Sequence, residues 1–77
     1  MGLDREQAGA EKARVRPILR SEYTDKLAGV GLVRIQGSEY GIVVNFRGEV
    51  DTDAVRELFQ VPQESVEINF PGTIEAL

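Results

Sequence analysis

Cysteine, histidine and tryptophan are all absent from this 77-residue sequence. Each absence removes chemistry. Without cysteine there is no disulfide framework, no thiolate nucleophile and no thiolate-bound zinc or iron–sulfur centre. Without histidine there is no imidazole general base, no Ser-His or Cys-His triad and no imidazole metal ligand. The acids and bases that remain are carboxylates, lysine and tyrosine. All of them need strong environmental tuning before they work at neutral pH. No apolar run approaches the roughly 20 residues that a membrane-spanning helix requires. The first 16 residues, MGLDREQAGAEKARVR, lack the apolar centre of a secretory signal. A cytoplasmic location is the expectation, and a mature exported form would share these features.

Hydrophobic residues make up 42% of the chain and charged residues 29%, which is ordinary globular usage and argues against disorder throughout. A domain of this size buries only about 60% of the surface its unfolded chain exposes. With no cross-link available, association with a partner or a twin adds useful burial. Charge is distributed unevenly. Residues 1–26 carry a balance of +1, and residues 27–77 a balance of −5. An acidic body repels a phosphate backbone, so nucleic acid is not an expected partner.

Residues 1–13 combine Gly2, Gly9 and three alanines with charges and offer only Met1 and Leu3 as large apolar side chains. They read as a flexible arm, with residues 14–77 forming a single domain. From 15 to 27, Val15, Ile18, Leu19, Tyr23 and Leu27 recur near a 3.6 period, which predicts a helix. Pro17 suits a first helical turn, and Gly29 suits a helix C-cap. Two alternating runs follow, one at 30–36 and one at 39–47. They are joined by Gly37-Ser38, the signature of a hairpin with a II′-type turn. Asp51, Thr52 and Asp53 offer an N-cap to a short helix over 54–60, whose apolar face is Val55, Leu58 and Phe59 and which Pro62 ends. Residues 65–70 alternate Val66, Ile68 and Phe70 with polar residues and predict a third strand. After a turn at Pro71-Gly72, residues 73–77 have the character of a continued strand. The expected architecture is α+β: a two-layer sandwich of order α-β-β-α-β, a three-stranded sheet with a β-hairpin, and both helices on one face. Whether the third strand lies beside the first or the second is left open by the sequence.

Some of these segments stand in a familiar order: Ala28-Gly29-Val30-Gly31-Leu32, then Gly41-Ile42-Val43-Val44, Val61-Pro62, and Glu67-Ile68 running on to Thr73-Ile74-Glu75-Ala76-Leu77. Over residues 18–77 the chain resembles the small N-terminal accessory domains that accompany some bacterial trypsin-like peptidases. The resemblance implies a module without catalytic residues of its own, with a folding, propeptide-like, chaperone or docking role.

Three constellations merit a chemical reading. Glu49, Asp51, Asp53 and Glu57 form the densest acidic cluster, and oxygen ligands of this kind suit Ca²⁺ or Mg²⁺ or a small ligand. The spacing is not that of an EF-hand loop, and helix capping accounts for it more simply. Arg14, Arg16 and Arg20 form a basic stripe diluted by Glu11, Glu22 and Asp25, with no aromatic interleaving for base stacking. Lastly, Tyr40 and Val43 fall on opposite faces of the second strand, as Leu32 and Val33 do on the first. Apolar side chains on both faces mark a sheet face or edge that pairs with another chain, so Leu32, Arg34, Tyr40 and Val43 are the candidate interaction residues. No catalytic residue, metal ligand or cofactor is expected. The function that follows is a non-catalytic interaction or accessory module, binding another protein or forming a homodimer.

Overall fold

The computed structural model describes residues 3–70. In chain order they form α1 (Arg5–Glu22), β1 (Leu27–Gln36), β2 (Glu39–Phe46), α2 (Thr52–Glu57), a 3₁₀ turn (Gln63–Ser65) and β3 (Val66–Asn69). This is the expected small α+β fold of order α-β-β-α-β. The suggested strand at 73–77, and the turn before it, lie outside the described residues.

The largest departure from the sequence reading concerns residues 1–13. From Arg5 onward they are the first half of α1, not an arm, and the helix starts ten residues before the apolar periodicity does. Asp4 makes a capping box. Its carboxylate accepts from the Gln7 N–H at 2.7 Å, and the Gln7 side chain accepts from the Asp4 N–H at 3.1 Å, so two amides at the helix start are satisfied. Leu3 and Ala8 stand at the N′ and N4 positions of a hydrophobic staple, and both are buried in the core. The buried stripe continues through Glu11, Val15 and Leu19. An alanine and a glutamate in that stripe hid it from a search for large apolar side chains.

The helix also ends earlier than 27. Tyr23 is its C-cap, and the Thr24 hydroxyl donates to the Arg20 and Ser21 carbonyls at 2.9 and 3.2 Å. Terminal carbonyls are thereby satisfied without a glycine. Gly29, expected as the cap, lies inside β1. Pro17, expected in the first turn, is deep in the helix, where it cannot donate to the Ala13 carbonyl; Ala13 is exposed, so water can take that carbonyl.

The sheet has the order β1-β2-β3. The hairpin forms as expected, with Gly37 at φ 57° and no positive φ at Ser38, which fits a II′-type turn and excludes I′. β3 lies beside β2 and runs parallel to it, pairing Ile42 with Val66 and Val44 with Ile68. Leu3 extends this same side of β2, exchanging two backbone hydrogen bonds with Tyr40 at 3.2 and 2.7 Å. The central strand is therefore paired on both sides.

One face of the sheet carries Ile42, Val44, Phe46 and Val66. These pack with Val15 and Leu19 of α1 and with Val55 and Phe59 from α2 and its exit. Tyr23 meets Phe46 edge to face with ring centroids 5.3 Å apart. α2 is capped by Asp51, whose carboxylate accepts from the Asp53 and Ala54 amides. It stops at Glu57, before Pro62, which instead precedes the 3₁₀ turn.

The two helical segments are pinned by one buried carboxylate. Glu11 accepts from Arg14 Nε and Nη2 at 2.9 and 2.8 Å and from the Gln60 N–H at 2.7 Å. Arg14 Nη2 also donates to the Leu58 carbonyl at 2.7 Å. The pair thus satisfies one carbonyl and one amide where the chain leaves α2.

Candidate functional site

The sheet has two outer edges, and they differ. β3 contributes only four residues, and Arg56 of α2 donates to its Val66 carbonyl at 2.9 Å and to the Gln63 carbonyl at 3.1 Å. A short strand under a charged side chain is a guarded edge. β1 is ten residues long and has no neighbour beyond it among the described residues.

The register shows which backbone groups line that free edge. Tyr40 spends its N–H and C=O on Leu3, on the side away from β1, so the alternate residues Gly41, Val43 and Asn45 face β1. Their partners Val33, Gly31 and Gly29 bond inward. Val30, Leu32 and Arg34 are left to direct their amides and carbonyls outward, while Ala28 sits at the register irregularity between Leu27 and Gly29. The three large hydrophobic side chains exposed among the described residues all belong to this strand: Leu32 at 36%, Val33 at 38% and Ile35 at 49%. From Leu32 onward β1 is exposed throughout. Neither proline nor lysine blunts it.

The four candidate residues divide between the two faces. Leu32 and Arg34 lie on β1, on the helix-bearing side, and Arg34 is the cross-strand partner of half-buried Tyr40. Val43 lies on the opposite face, half-buried, between Gly31 and Glu67. They do not form one patch. What joins Leu32 and Arg34 is the strand edge, with Val33 and Ile35 on its other face. The Ile35 side chain leans over Gly41, where an added Cβ would come within 3.0 Å of Ile35 Cδ1 and 2.9 Å of the Ser65 carbonyl oxygen. Only glycine fits there.

The basic stripe is also divided. Arg14 turns toward Glu11 and α2. Arg16 and Arg20 face the other way, and with Arg47 they line a groove of about 360 Å³ whose floor includes Leu27, Ala28, Gly29 and Val30 at the start of β1. None of these three guanidinium groups has a hydrogen bond or an ion pair among the described residues. Arg47 lies far from the other two in sequence, and only the fold adds it to them.

The acidic cluster behaves as a cap. Asp51 holds the α2 amides, and among the described residues no group of three or more His, Cys, Asp or Glu side chains could hold a metal ion. Glu11 has its pKa lowered, chiefly by the hydrogen bond from Arg14, against the opposing effect of burial, with further help from the Gln60 amide. No helix among the described residues is long and apolar enough to cross a membrane.

Comparison with known proteins finds no matching family model, no matching curated protein and no matching solved structure.

Proposed function

We propose that this chain is a non-catalytic interaction module that binds another polypeptide by adding an extended segment to the outer edge of β1. One observation carries the reading. A ten-residue edge with outward backbone groups at Val30, Leu32 and Arg34 bears the exposed Leu32, Val33 and Ile35, while the opposite edge is short and capped by Arg56. Unprotected edges template strand pairing. Backbone hydrogen bonds then supply affinity, and side-chain pockets supply specificity.

The outward groups make a clean test possible. The Leu32 N–H takes no part in the hairpin, so Leu32→Pro removes a docking donor without removing a ladder bond. The chain is immobilised, partners are captured, and hydrogen exchange is read on the complex. Protection gained at 28–34 and capture abolished by Leu32→Pro support the module. Capture that Leu32→Pro leaves intact, with no added protection in β1, refutes it.

A further inference from the structure

We infer that the segment received by β1 is acidic: an extended strand of another protein whose carboxylates, on alternate residues, meet Arg16, Arg20 and Arg47. This rests on the edge-pairing reading and specifies the chemistry of its partner. An added strand places every second side chain on the helix-bearing side of the sheet. At the start of β1 that side is the groove between α1 and the strand. There Ala28 and Gly29 present little bulk, and the three guanidinium groups stand without partners among the described residues. In a chain of net charge −4, this is a concentration of three positive charges around unpaired backbone amides. Carboxylates are the side chains that satisfy guanidinium groups in forked geometry.

The same charges disfavour a second copy as the occupant. The registers that overlap most of β1 in an antiparallel twin have their two-fold axis at Gly31 or Leu32. Either one brings the twin's own Arg34 opposite Ala28 or Val30, beside Arg16, Arg20 and Arg47. Like charges brought together across strands destabilise pairing. Nucleic acid is disfavoured too: residues 27–77 carry a balance of −5, and no aromatic lines the groove for base stacking.

The probes are three ten-residue peptides of alternating valine with glutamate, glutamine or lysine, and a ten-residue oligothymidylate. Each is titrated into the full chain at low salt while amide chemical shifts are followed. The glutamate peptide is expected to shift Ala28, Val30, Leu32 and Arg34. It should bind about tenfold tighter than the glutamine peptide, since three exposed ion pairs supply about two- to threefold apiece. Added salt should erase the difference. The triple variant R16E/R20E/R47E alters exposed side chains only, and its amide dispersion reports its fold; it should prefer the lysine peptide. Equal binding of all three peptides at β1 overturns the acidic preference and leaves edge pairing standing. Oligothymidylate binding that outcompetes the glutamate peptide overturns it in favour of a phosphate ligand. Concentration-dependent dimerisation through β1 that shuts out the peptides overturns it in favour of a twin. No response of β1 to any peptide, in a chain that stays monomeric, removes both the inference and the edge-pairing reading.

Discussion

At position 11 a carboxylate occupies the buried stripe of a helix, where an apolar residue is the common choice. Glu11 is tolerated because every neighbour around it donates: Arg14 twice, and the Gln60 amide once. Removing it takes the acceptor from the Gln60 N–H, while Arg14 keeps its bond to the Leu58 carbonyl. Gln60 is exposed and Arg14 half-buried, so water reaches both, and Glu11→Ala should lower the unfolding free energy by about 1–2 kcal/mol, the net worth of the lost hydrogen bonds, in urea titrations. The pKa of Glu11 is depressed in the folded state, which means the unfolded chain binds its proton more tightly. The stability this group contributes is therefore fully present above the ordinary carboxylate range and is lost as pH falls through its lowered value. Acid titration of the wild type should show that loss, and Glu11→Ala should show less of it. A variant with the same acid slope as wild type would assign the pH dependence to other carboxylates.

At the scale of elements, α1 decides how much of the chain is ordered. Its first turns rest on Asp4, Gln7, Leu3 and Ala8, all local features. They escape a search keyed to large apolar residues, because Ala8 and Glu11 hold the inward positions. Gly9 lies in this region, and a Cβ added there meets nothing within 4 Å. In a helix interior, glycine is about 0.5–1 kcal/mol worse than alanine. Gly9→Ala should therefore raise the thermal midpoint and the urea midpoint. A helix that was absent over 5–13 would leave both unmoved, so the substitution measures the element directly. The hairpin lies at the other extreme of legibility. Two alternating runs around Gly37-Ser38 specify strands, turn and facing residues together, because every signal involved is local. Gly29 and Pro17 were ambiguous for the same reason that they are informative. A glycine serves a helix cap or a strand position such as that of Gly29, where an added Cβ meets nothing within 4 Å, and a proline a first turn or a tolerated interior position; neither residue states which.

At the scale of the molecule, the asymmetry between edges governs behaviour. The chain has a small core, and β1 extends past the cover of α1, with Leu32, Val33 and Ile35 exposed along a backbone edge that no other described residue pairs. Such an edge is a hazard whenever its partner is missing, since any extended chain can occupy it. A lysine on the edge blunts this by charge. Leu32 lies outside the buried core cluster and a lysine stem can cover the same apolar surface, so Leu32→Lys should leave stability within about 1 kcal/mol while slowing aggregation on heating, followed by light scattering. Faster or unchanged aggregation would place the liability elsewhere than β1.

Periodicity, capping residues and the Gly-Ser turn are properties of consecutive residues, and they were enough for the element types, their order and the two-layer α+β architecture. Strand neighbours are not such a property. β3 could join either hairpin strand with its apolar residues facing the helices, and its place beside β2 follows from how α2 packs and from how Leu3 and Val66 share the far side of the central strand. That choice, made by packing between distant residues, leaves β1 as the open edge. It also brings Arg47 to Arg16 and Arg20, a grouping that no spacing along the chain could announce.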